Sequence, residues 1–266
     1  MDLELTGKVA IVTGGSRGIG KAIARQLARE GADVAICARN EVPLKAAAEE
    51  LGAETERRFL AVPADMRKLD HIQRLVQRTA DTFGRIDILI NNAAQIGGTQ
   101  GPDDIANVSD ELIINDFETK MLGYVRCARE VVPYMERQGW GRMVLVSGMA
   151  TRMAGGVSGG MRNAAVTNLG KSLSNQLGPK GITVNVIQPG AVGSETLQDR
   201  LEAVARRQGT TVDQARQRMA EGNAIRRIVT TEEIANVVAF LCSPRAHSIT
   251  GESISVSGGT GGGVFY

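Results

Sequence analysis

The sequence predicts an α/β fold in which helices cover both faces of one doubly wound parallel sheet of about seven strands. Short apolar runs alternate with helical segments along almost the whole 266-residue chain, and strands that alternate with helices form parallel sheets. No Pro- or Ser-rich linker interrupts the alternation. Residues 1–266 are therefore predicted to form a single domain, for which the length is sufficient.

Each element follows from its local pattern. The runs KVAIVTGG and DVAICAR flank the helical segment KAIARQLAREGA, which makes a first strand–helix–strand unit. Further helices are expected at about 41–51, 68–83, 109–138 and 158–178, with strands in RFLAVPAD, IDILINNAA, RMVLVSG, ITVNVIQPG and GESISVSGG. Residues 190–228 add one or two amphipathic helices after the sixth strand, where such sheets often carry ligand-covering segments.

Composition excludes several classes of protein. With 42% hydrophobic and 23% charged residues the chain is typical of a globular protein. The 31 basic and 29 acidic residues form no basic stripe, and no apolar run reaches membrane-spanning length, so neither nucleic acid nor membrane is expected as a partner. Three separated cysteines favour a reducing, cytoplasmic location. His71 and His247 lie outside every motif, so no metal site is expected.

A glycine-rich loop joins the first strand to the first helix. In TGGSRGIG the glycines Gly14, Gly18 and Gly20, with Ile19 between the last two, open the helix. Backbone N–H groups and the positive end of a helix dipole can approach a pyrophosphate at such a place. The loop therefore predicts a dinucleotide site.

The neighbouring charges favour NADP(H) over NAD(H). An acidic residue at the end of the second strand would bind the ribose hydroxyls of NAD, but this chain has Ala38 there, followed by Arg39. Ser16 and Arg17 lie in the glycine loop. Two guanidinium groups and a hydroxyl suit a 2′-phosphate.

Together, the TGxxxGxG spacing, NNAA at 91–94, Asp65 after the third strand, PG at 189–190 and GESISVSGG near the end resemble the short-chain dehydrogenase/reductase family, whose members have a Rossmann-type fold. The resemblance implies that Asp65 and Met66 border the adenine and that the backbone of Asn92 and Ala93 borders the ribose. It likewise implies cofactor contacts at Pro189, Gly190, Val192 and Ser194, the last two at the nicotinamide amide. Homodimers or homotetramers built on helices 109–138 and 158–178 and the last strand are also implied.

The family's catalytic residues are only partly matched. Its serine corresponds to Ser147, but its tyrosine position holds Gly159 and the lysine four residues later is Asn163. The tyrosines of this chain are Tyr124, Tyr134 and Tyr266, and no lysine lies between Lys120 and Lys171. The tyrosine–lysine pair is therefore absent in any alignment.

Lys120 corresponds to the asparagine that the family has on the helix before the serine. At 100° per residue, the apolar residues Ile113, Phe117, Tyr124, Ala128, Val131 and Met135 share one stripe, and the charged residues Asp116, Glu118, Arg126, Arg129, Glu130 and Arg137 lie opposite. Lys120 falls at the edge of the apolar stripe, which favours a site lysine over one that extends to solvent. Tyr124, one turn further, either forms a lysine–phenol pair with Lys120 or belongs to the core or a subunit interface, which is the favoured interpretation.

Two arginines flank the predicted pocket. Arg152 and Arg162, with Met149, Met153 and Met161 nearby, would suit an anionic small-molecule substrate with an apolar body if they point inward. Solvated arginines and core methionines are an equally good interpretation.

Three functions remain open. The leading hypothesis is an NADPH-dependent reductase of a carbonyl or an activated C=C or C=N bond, resembling 3-oxoacyl reductases, with Lys120 and Ser147 as its catalytic residues. The second is a non-redox reaction, such as isomerisation, cyclisation or elimination, with Lys120 as base. The third is a non-catalytic NADP-binding subunit.

Overall fold

A computed structural model describes residues 1–94, 105–153, 156–261 and 263. Its main sheet has seven parallel strands in the order β3-β2-β1-β4-β5-β6-β9. The strands of this sheet are β1 (Val9–Thr13), β2 (Asp33–Ala38), β3 (Phe59–Pro63), β4 (Ile88–Asn91), β5 (Gly141–Val146), β6 (Ile182–Pro189) and β9 (Ser253–Val256). Short strands β7 (Val192–Gly193) and β8 (Val229–Thr230) pair separately. The predicted seven-stranded doubly wound fold is confirmed.

Helices connect the strands and cover both faces of the sheet. They are α1 (Gly18–Arg29), α2 (Glu41–Thr55), α3 (Leu69–Phe83), α4 (Asp110–Asp116), α5 (Gly123–Gln138), α6 (Val157–Leu177), α7 (Leu197–Gln208), α8 (Val212–Glu221) and α9 (Thr231–Cys242). Every residue of β1, β5 and β6 is buried, which is characteristic of parallel strands that are covered on both sides. Two apolar clusters, one on each face, form the core.

The single helix predicted for residues 109–138 is interrupted. Between α4 and α5 the chain forms a π-helical segment, Phe117–Leu122, in which hydrogen bonds span five residues instead of four. The wider turn changes the direction of every side chain that follows, so a constant 100° step does not apply across it. The prediction that Asp116, the last residue before this segment, lies on the charged outer face is wrong, because its side chain is buried in an ion pair with Arg162 of α6.

The strand order sets the position of the site. Strand β1 pairs with β2 on one side and with β4 on the other, so successive connections leave β1 in opposite directions. The resulting crevice at the carboxyl ends of these strands is where doubly wound sheets bind ligands. Thr13, Asn91 and Val146 end β1, β4 and β5 and border it.

Residues 190–228 form the helical insertion that the sequence predicts. Helices α7 and α8 share a small apolar cluster separate from the main core. The end of the insertion is attached to the glycine-rich tail, since the N–H groups of Ala224 and Ile225 donate to the carbonyls of Gly259 and Gly258 at 3.4 and 3.2 Å. That this segment covers a substrate stays a prediction.

In the ranges that the structure describes, no helix has both the length and the apolar character needed to cross a membrane.

A buried carboxylate before β4 is expected to stabilise the sheet. Asp87 is fully buried, accepts a hydrogen bond from Val9 N–H at 2.9 Å and pairs with Arg85. Asp87→Ala leaves a buried N–H without its acceptor and should lower the free energy of unfolding in urea by ~2–3 kcal/mol. The control Glu50→Ala removes an exposed carboxylate that pairs with Lys21 and should cost under ~1 kcal/mol. Equal losses in the two variants would contradict the assignment.

Candidate active site

The glycine loop is shaped by close backbone packing. Gly14 and Gly18 adopt positive φ angles of 69° and 56°, a conformation that glycine takes without strain. A Cβ on Gly20 would lie 2.2 Å from the Gly14 carbonyl oxygen, and one on Gly14 would lie 2.9 Å from Asn92 Nδ2. A residue larger than glycine at either of these two positions would therefore not fit the observed shape of the loop.

The first N–H of α1 already binds an anionic group. Gly18 N–H donates to Glu195 Oε2 at 3.0 Å, and a Cβ on Gly18 would lie 3.8 Å from the Cβ of Ser194. Arg17, the residue before the helix, provides no side-chain cap. The N-terminus of α1 thus attracts a carboxylate, as the positive end of a helix dipole should, and Ser194 lies beside it.

Hydrogen bonds of Thr13 link the loop after β1 to the loop after β4. Its Oγ1 accepts hydrogen bonds from Asn92 N–H at 2.9 Å and Ala93 N–H at 3.0 Å, while Asn92 Nδ2 donates to Thr13 O at 2.9 Å. Sequence reasoning passed over Thr13. A hydroxyl at the end of an otherwise apolar strand was the signal that could have found it, because such a group needs a partner when it is buried.

The region that is predicted to take the 2′-phosphate is basic. Ala38 ends β2, and both Arg39 and Arg17 are exposed. Neither arginine forms an ion pair with another residue in the described ranges. Ser16, beside Arg17, is half-buried. Two guanidinium groups at the edge of the crevice are therefore available to an anion.

Asp65 and Met66 follow β3, as the resemblance implies. Hydrogen bonds from the Arg67 side chain lower the pKa of Asp65 to about 2, so the carboxylate stays ionised at neutral pH. Its backbone N–H donates to His71 Nδ1 at 3.1 Å. Met66 is buried next to Cys127. These contacts hold the segment in place after β3.

The segment after β6 forms another part of the site. Pro189 pairs in register with Val256 of β9, and Val192 pairs with Val229 in the short second sheet. A Cβ on Gly190 would lie 2.9 Å from the Cβ of Ser257. The backbone here is packed closely against the glycine-rich tail, which brings Val192 and Ser194 to the same edge of the sheet as the glycine loop.

Lys120 points into the protein. It lies in the π segment with 4% of its surface exposed, and its Nζ donates to the Ser147 carbonyl at 3.0 Å and to Asn163 Oδ1 at 2.6 Å. The structure thus brings Lys120 and Ser147 together, and Asn163 joins them. The prediction of an inward lysine is confirmed.

Burial changes the charge of this lysine. Desolvation and, to a smaller extent, the positive charge of Arg162 lower the pKa of Lys120 to about 7, while the negative charge of Asp116 opposes the shift. A neutral amine has two N–H donors and one lone pair, which matches the two acceptors in the described cluster and leaves the lone pair for a proton. Lys120 can therefore gain and lose a proton near neutral pH.

Ser147 is held by hydrogen bonds on both sides. Its Oγ donates to the Asn163 carbonyl at 2.9 Å and lies 3.4 Å from Thr167 Oγ1, while its N–H donates to the Ile187 carbonyl at 2.8 Å. Because the Ser147 hydroxyl donates its proton to the Asn163 carbonyl, its oxygen can act as a hydrogen-bond acceptor towards a substrate. Its main-chain oxygen holds Lys120.

Tyr124 does not pair with Lys120. Its hydroxyl donates to the Val146 carbonyl at 3.1 Å, and burial raises its pKa. The phenol is a core residue, which is the interpretation that the sequence favoured.

The two arginines near the pocket make internal contacts. Arg162 is buried in an ion pair with Asp116, at 2.6 Å between Nη1 and Oδ1. Arg152 donates to the Ser253 carbonyl at 2.8 Å. Met149 is buried, whereas Met153 and Met161 are exposed. These contacts give no support to an arginine site for an anionic substrate.

Comparison with known proteins identifies the family of this chain. Residues 14–261 match the family model described as enoyl-(acyl carrier protein) reductase. The NADPH-dependent reductase BacG of Bacillus subtilis is 31% identical over 95% of this chain and 97% of its own length. The chain belongs to the short-chain dehydrogenase/reductase family.

Two further comparisons cover nearly the whole chain. The 3-oxoacyl-[acyl-carrier-protein] reductase FabG of Staphylococcus epidermidis is 32% identical over 95% of this chain and 98% of its own. The crystal structure of L-sorbose reductase from Gluconobacter frateurii, complexed with NADPH and L-sorbose, superposes with a TM-score of 0.90 at 32% identity, covering 98% of both chains.

By the resemblance stated above, Lys120 corresponds to the family's asparagine and Asn163 to its lysine. In the structure these two side chains bond directly to each other at 2.6 Å. Sequence reasoning aligned both positions but did not connect them, since it had no means to see that they touch.

Gly159, which the resemblance assigns to the tyrosine position, lies in the first turn of α6. A Cβ built on it would meet no described heavy atom within 4 Å outside the nearby backbone of its own helix. The first atom of a larger side chain therefore fits at this position.

The titration of Lys120 can be measured through stability. Its pKa of about 7 in the folded state lies below the ordinary 10.5, so between these values the unfolded chain binds more protons and stability rises with pH. From pH 7 to 9 this rise should reach roughly 2–3 kcal/mol in the unsubstituted protein. In Lys120→Met it should be absent, as measured by urea unfolding at the two pH values.

The control Lys45→Met replaces an exposed lysine on α2 and should leave the rise intact. Lys120→Met with the same rise as the unsubstituted protein would show that Lys120 is protonated throughout this range.

Proposed function

We propose that the protein is an NADP(H)-dependent reductase in which Lys120, in place of a tyrosine, transfers the proton to the substrate. The observation that carries the proposal is the buried position of Lys120 Nζ between Ser147 and Asn163. It lies at the carboxyl edge of the sheet that also carries the glycine loop. The substrate is a carbonyl compound or a compound with an activated C=C or C=N bond.

The residues present fit NADP(H). The glycine loop leaves no room for side chains at Gly14 and Gly20, and the Gly18 N–H at the N-terminus of α1 already donates to a carboxylate oxygen. Arg17 and Arg39 would hold the 2′-phosphate; the relative BacG is an NADPH-dependent reductase, and L-sorbose reductase was crystallised with NADPH. When bound, the cofactor supplies a hydride.

Lys120 would complete the reaction by proton transfer. A general acid works best when its pKa is near the working pH, and burial holds the pKa of Lys120 at about 7. Its ammonium form can donate to the oxygen, carbon or nitrogen that becomes basic during reduction. The conjugate amine keeps both hydrogen bonds to Ser147 and Asn163, so the side chain need not move.

Ser147 contributes less to the proposed reaction than Lys120 does. Its hydroxyl proton is engaged by the Asn163 carbonyl, so its side chain orients α6 and offers a lone pair to the substrate. Its main-chain carbonyl, which any substitution retains, positions Lys120.

The relatives named above support reduction of a carbonyl group. BacG is an NADPH-dependent reductase, FabG acts on a 3-oxoacyl group, and L-sorbose reductase was crystallised with a ketose. We extend the class of reaction to this chain and leave the individual substrate open.

A second candidate is a non-redox reaction with Lys120 as base. The lone pair of its neutral amine favours it, because a base with a free lone pair can remove a proton from a bound substrate. It predicts product formation with no change in the amount of NADPH.

We also propose two properties of the whole molecule. Residues 190–228 cover the substrate, and the chain forms homodimers or homotetramers. The exposed apolar side chains of Ile114, Leu122 and Met161, on the two helical segments expected at the interface, support the second.

Substitution of the proposed acid should abolish most turnover. In a panel of ketones, enones and imines followed by NADPH oxidation, Lys120→Met should lower kcat/KM by about 10²- to 10⁴-fold, the usual contribution of a general acid. Ser147→Ala keeps the carbonyl that holds Lys120 and should lower it only about 3- to 10-fold. In the unsubstituted protein kcat/KM should fall as pH rises through about 7, because the ammonium form is lost.

Lys45→Met is the matched control and should leave turnover unchanged. Full activity of Lys120→Met would disprove the role of Lys120, and product formation without NADPH consumption would favour the non-redox candidate.

Glu195 should compete with the cofactor. Its carboxylate bonds the N–H at the start of α1, where a pyrophosphate would need to approach. Glu195→Gln should therefore tighten NADPH binding, measured by fluorescence titration, by roughly 2- to 5-fold, which corresponds to ~0.3–1 kcal/mol for a charge at a helix terminus. Glu202→Gln, at a partly exposed carboxylate on α7 that pairs with Arg206, should have no effect; weaker binding by Glu195→Gln would refute the competition.

A further inference from the structure

Asp116 is enclosed by groups from α6. Arg162 Nη1 lies 2.6 Å from Asp116 Oδ1, and Ser158 Oγ donates to Asp116 Oδ2 at 2.6 Å. All three residues are buried, with Asp116 3% exposed and Arg162 7% exposed. The acid is therefore fully engaged on α6.

The same two chain segments meet again four residues further on. Asp116 ends α4 and Lys120 lies in the π segment that follows, while Arg162 and Asn163 are neighbours on α6. Arg162 binds Asp116 and Asn163 binds Lys120. Two consecutive residues of α6 thus fix both ends of the turn that carries the lysine.

The charges of this cluster are unbalanced. Among the described residues, one buried acid, Asp116, lies beside two buried bases, Arg162 and Lys120, and an unpaired buried charge is costly. Arginine keeps its proton under all conditions, so Asp116 is neutralised by Arg162. Lys120 is left with the uncharged partners Asn163 and Ser147.

We propose that Asp116 and Arg162 are positioning residues for Lys120, which fix the π segment and keep the only nearby carboxylate of the described chain occupied, so that the lysine can exist as a neutral amine. The catalytic consequence rests on the proposed function. The effect on the lysine itself does not.

The electrostatic environment agrees with this role. Arg162, from α6, lowers the pKa of Lys120, and Asp116, from the end of α4, raises it. Tyr124, from α5, is kept protonated by burial and donates to Val146. At the end of β5, the partner of Lys120 is the uncharged carbonyl of Ser147.

Opposite charge changes provide the test. With ¹³Cε-labelled lysine, the Lys120 signal is assigned by its loss in Lys120→Met and titrated with pH in each variant. Arg162→Gln frees Asp116 and should raise the titration midpoint of Lys120 by at least about 1 pH unit, whereas Asp116→Asn should lower it by a similar amount. The kcat/KM profile of each variant should shift in the same direction as its midpoint.

A purely structural role predicts a different result. Both variants would then loosen the same cluster and change the midpoint in the same direction. Arg162→Lys, which retains the charge, should restore a midpoint close to that of the unsubstituted protein. Midpoints that move together, or an Arg162→Lys midpoint equal to that of Arg162→Gln, would overturn the proposal.

A double variant and the turnover assay provide two further tests. Where the single variants do not keep the native near-UV circular dichroism spectrum, the double variant Asp116→Asn/Arg162→Gln retains an amide pair. Its midpoint should rise, because Arg162 has the larger effect on Lys120; an unchanged or lower midpoint would overturn the proposal. Opposite midpoint shifts without any effect on turnover would support the positioning role and disprove the proposed function instead.

Discussion

The hydrogen bond between Lys120 and Asn163 is the interaction on which the candidate site depends. It joins the π segment to α6 at 2.6 Å, and through the Ser147 carbonyl it includes the end of β5. Three elements that are distant in sequence thus meet at one nitrogen atom. An amino group in this position has lost most of its hydration, which makes its neutral form accessible near pH 7.

The pairing of the neighbouring charged residues is related to this hydrogen bond. Because Lys120 is satisfied by uncharged acceptors, the neighbouring acid can be neutralised by Arg162 alone. Asp116 lies just before the π segment and Lys120 within it, four residues apart, and both side chains reach α6. Unusual helical turns of this kind occur frequently at functional sites, and here the turn carries the lysine of the candidate site.

The sequence was a good guide wherever a local pattern had a local cause. Alternating apolar runs and helices predicted the seven-stranded sheet, and the glycines of TGGSRGIG predicted a loop whose backbone packs too closely for side chains. The pattern failed for Asp116, because a helical angle does not show that an arginine of α6 packs against this residue. It was also silent on Thr13, whose partners on the loop after β4 are about 80 residues away in the chain.

The sequence by itself determined the fold class, the glycine loop between β1 and α1 and the absence of a tyrosine with a lysine four residues later, since each of these depends on residue types and their spacing. Tertiary structure alone decided that Lys120 meets Asn163, that Tyr124 belongs to the core and that Arg162 is paired with Asp116. Hydrogen-bond partners and desolvation depend on which elements pack together. A lysine on a predicted helix therefore acquires its chemistry only when α6 and β5 close around it.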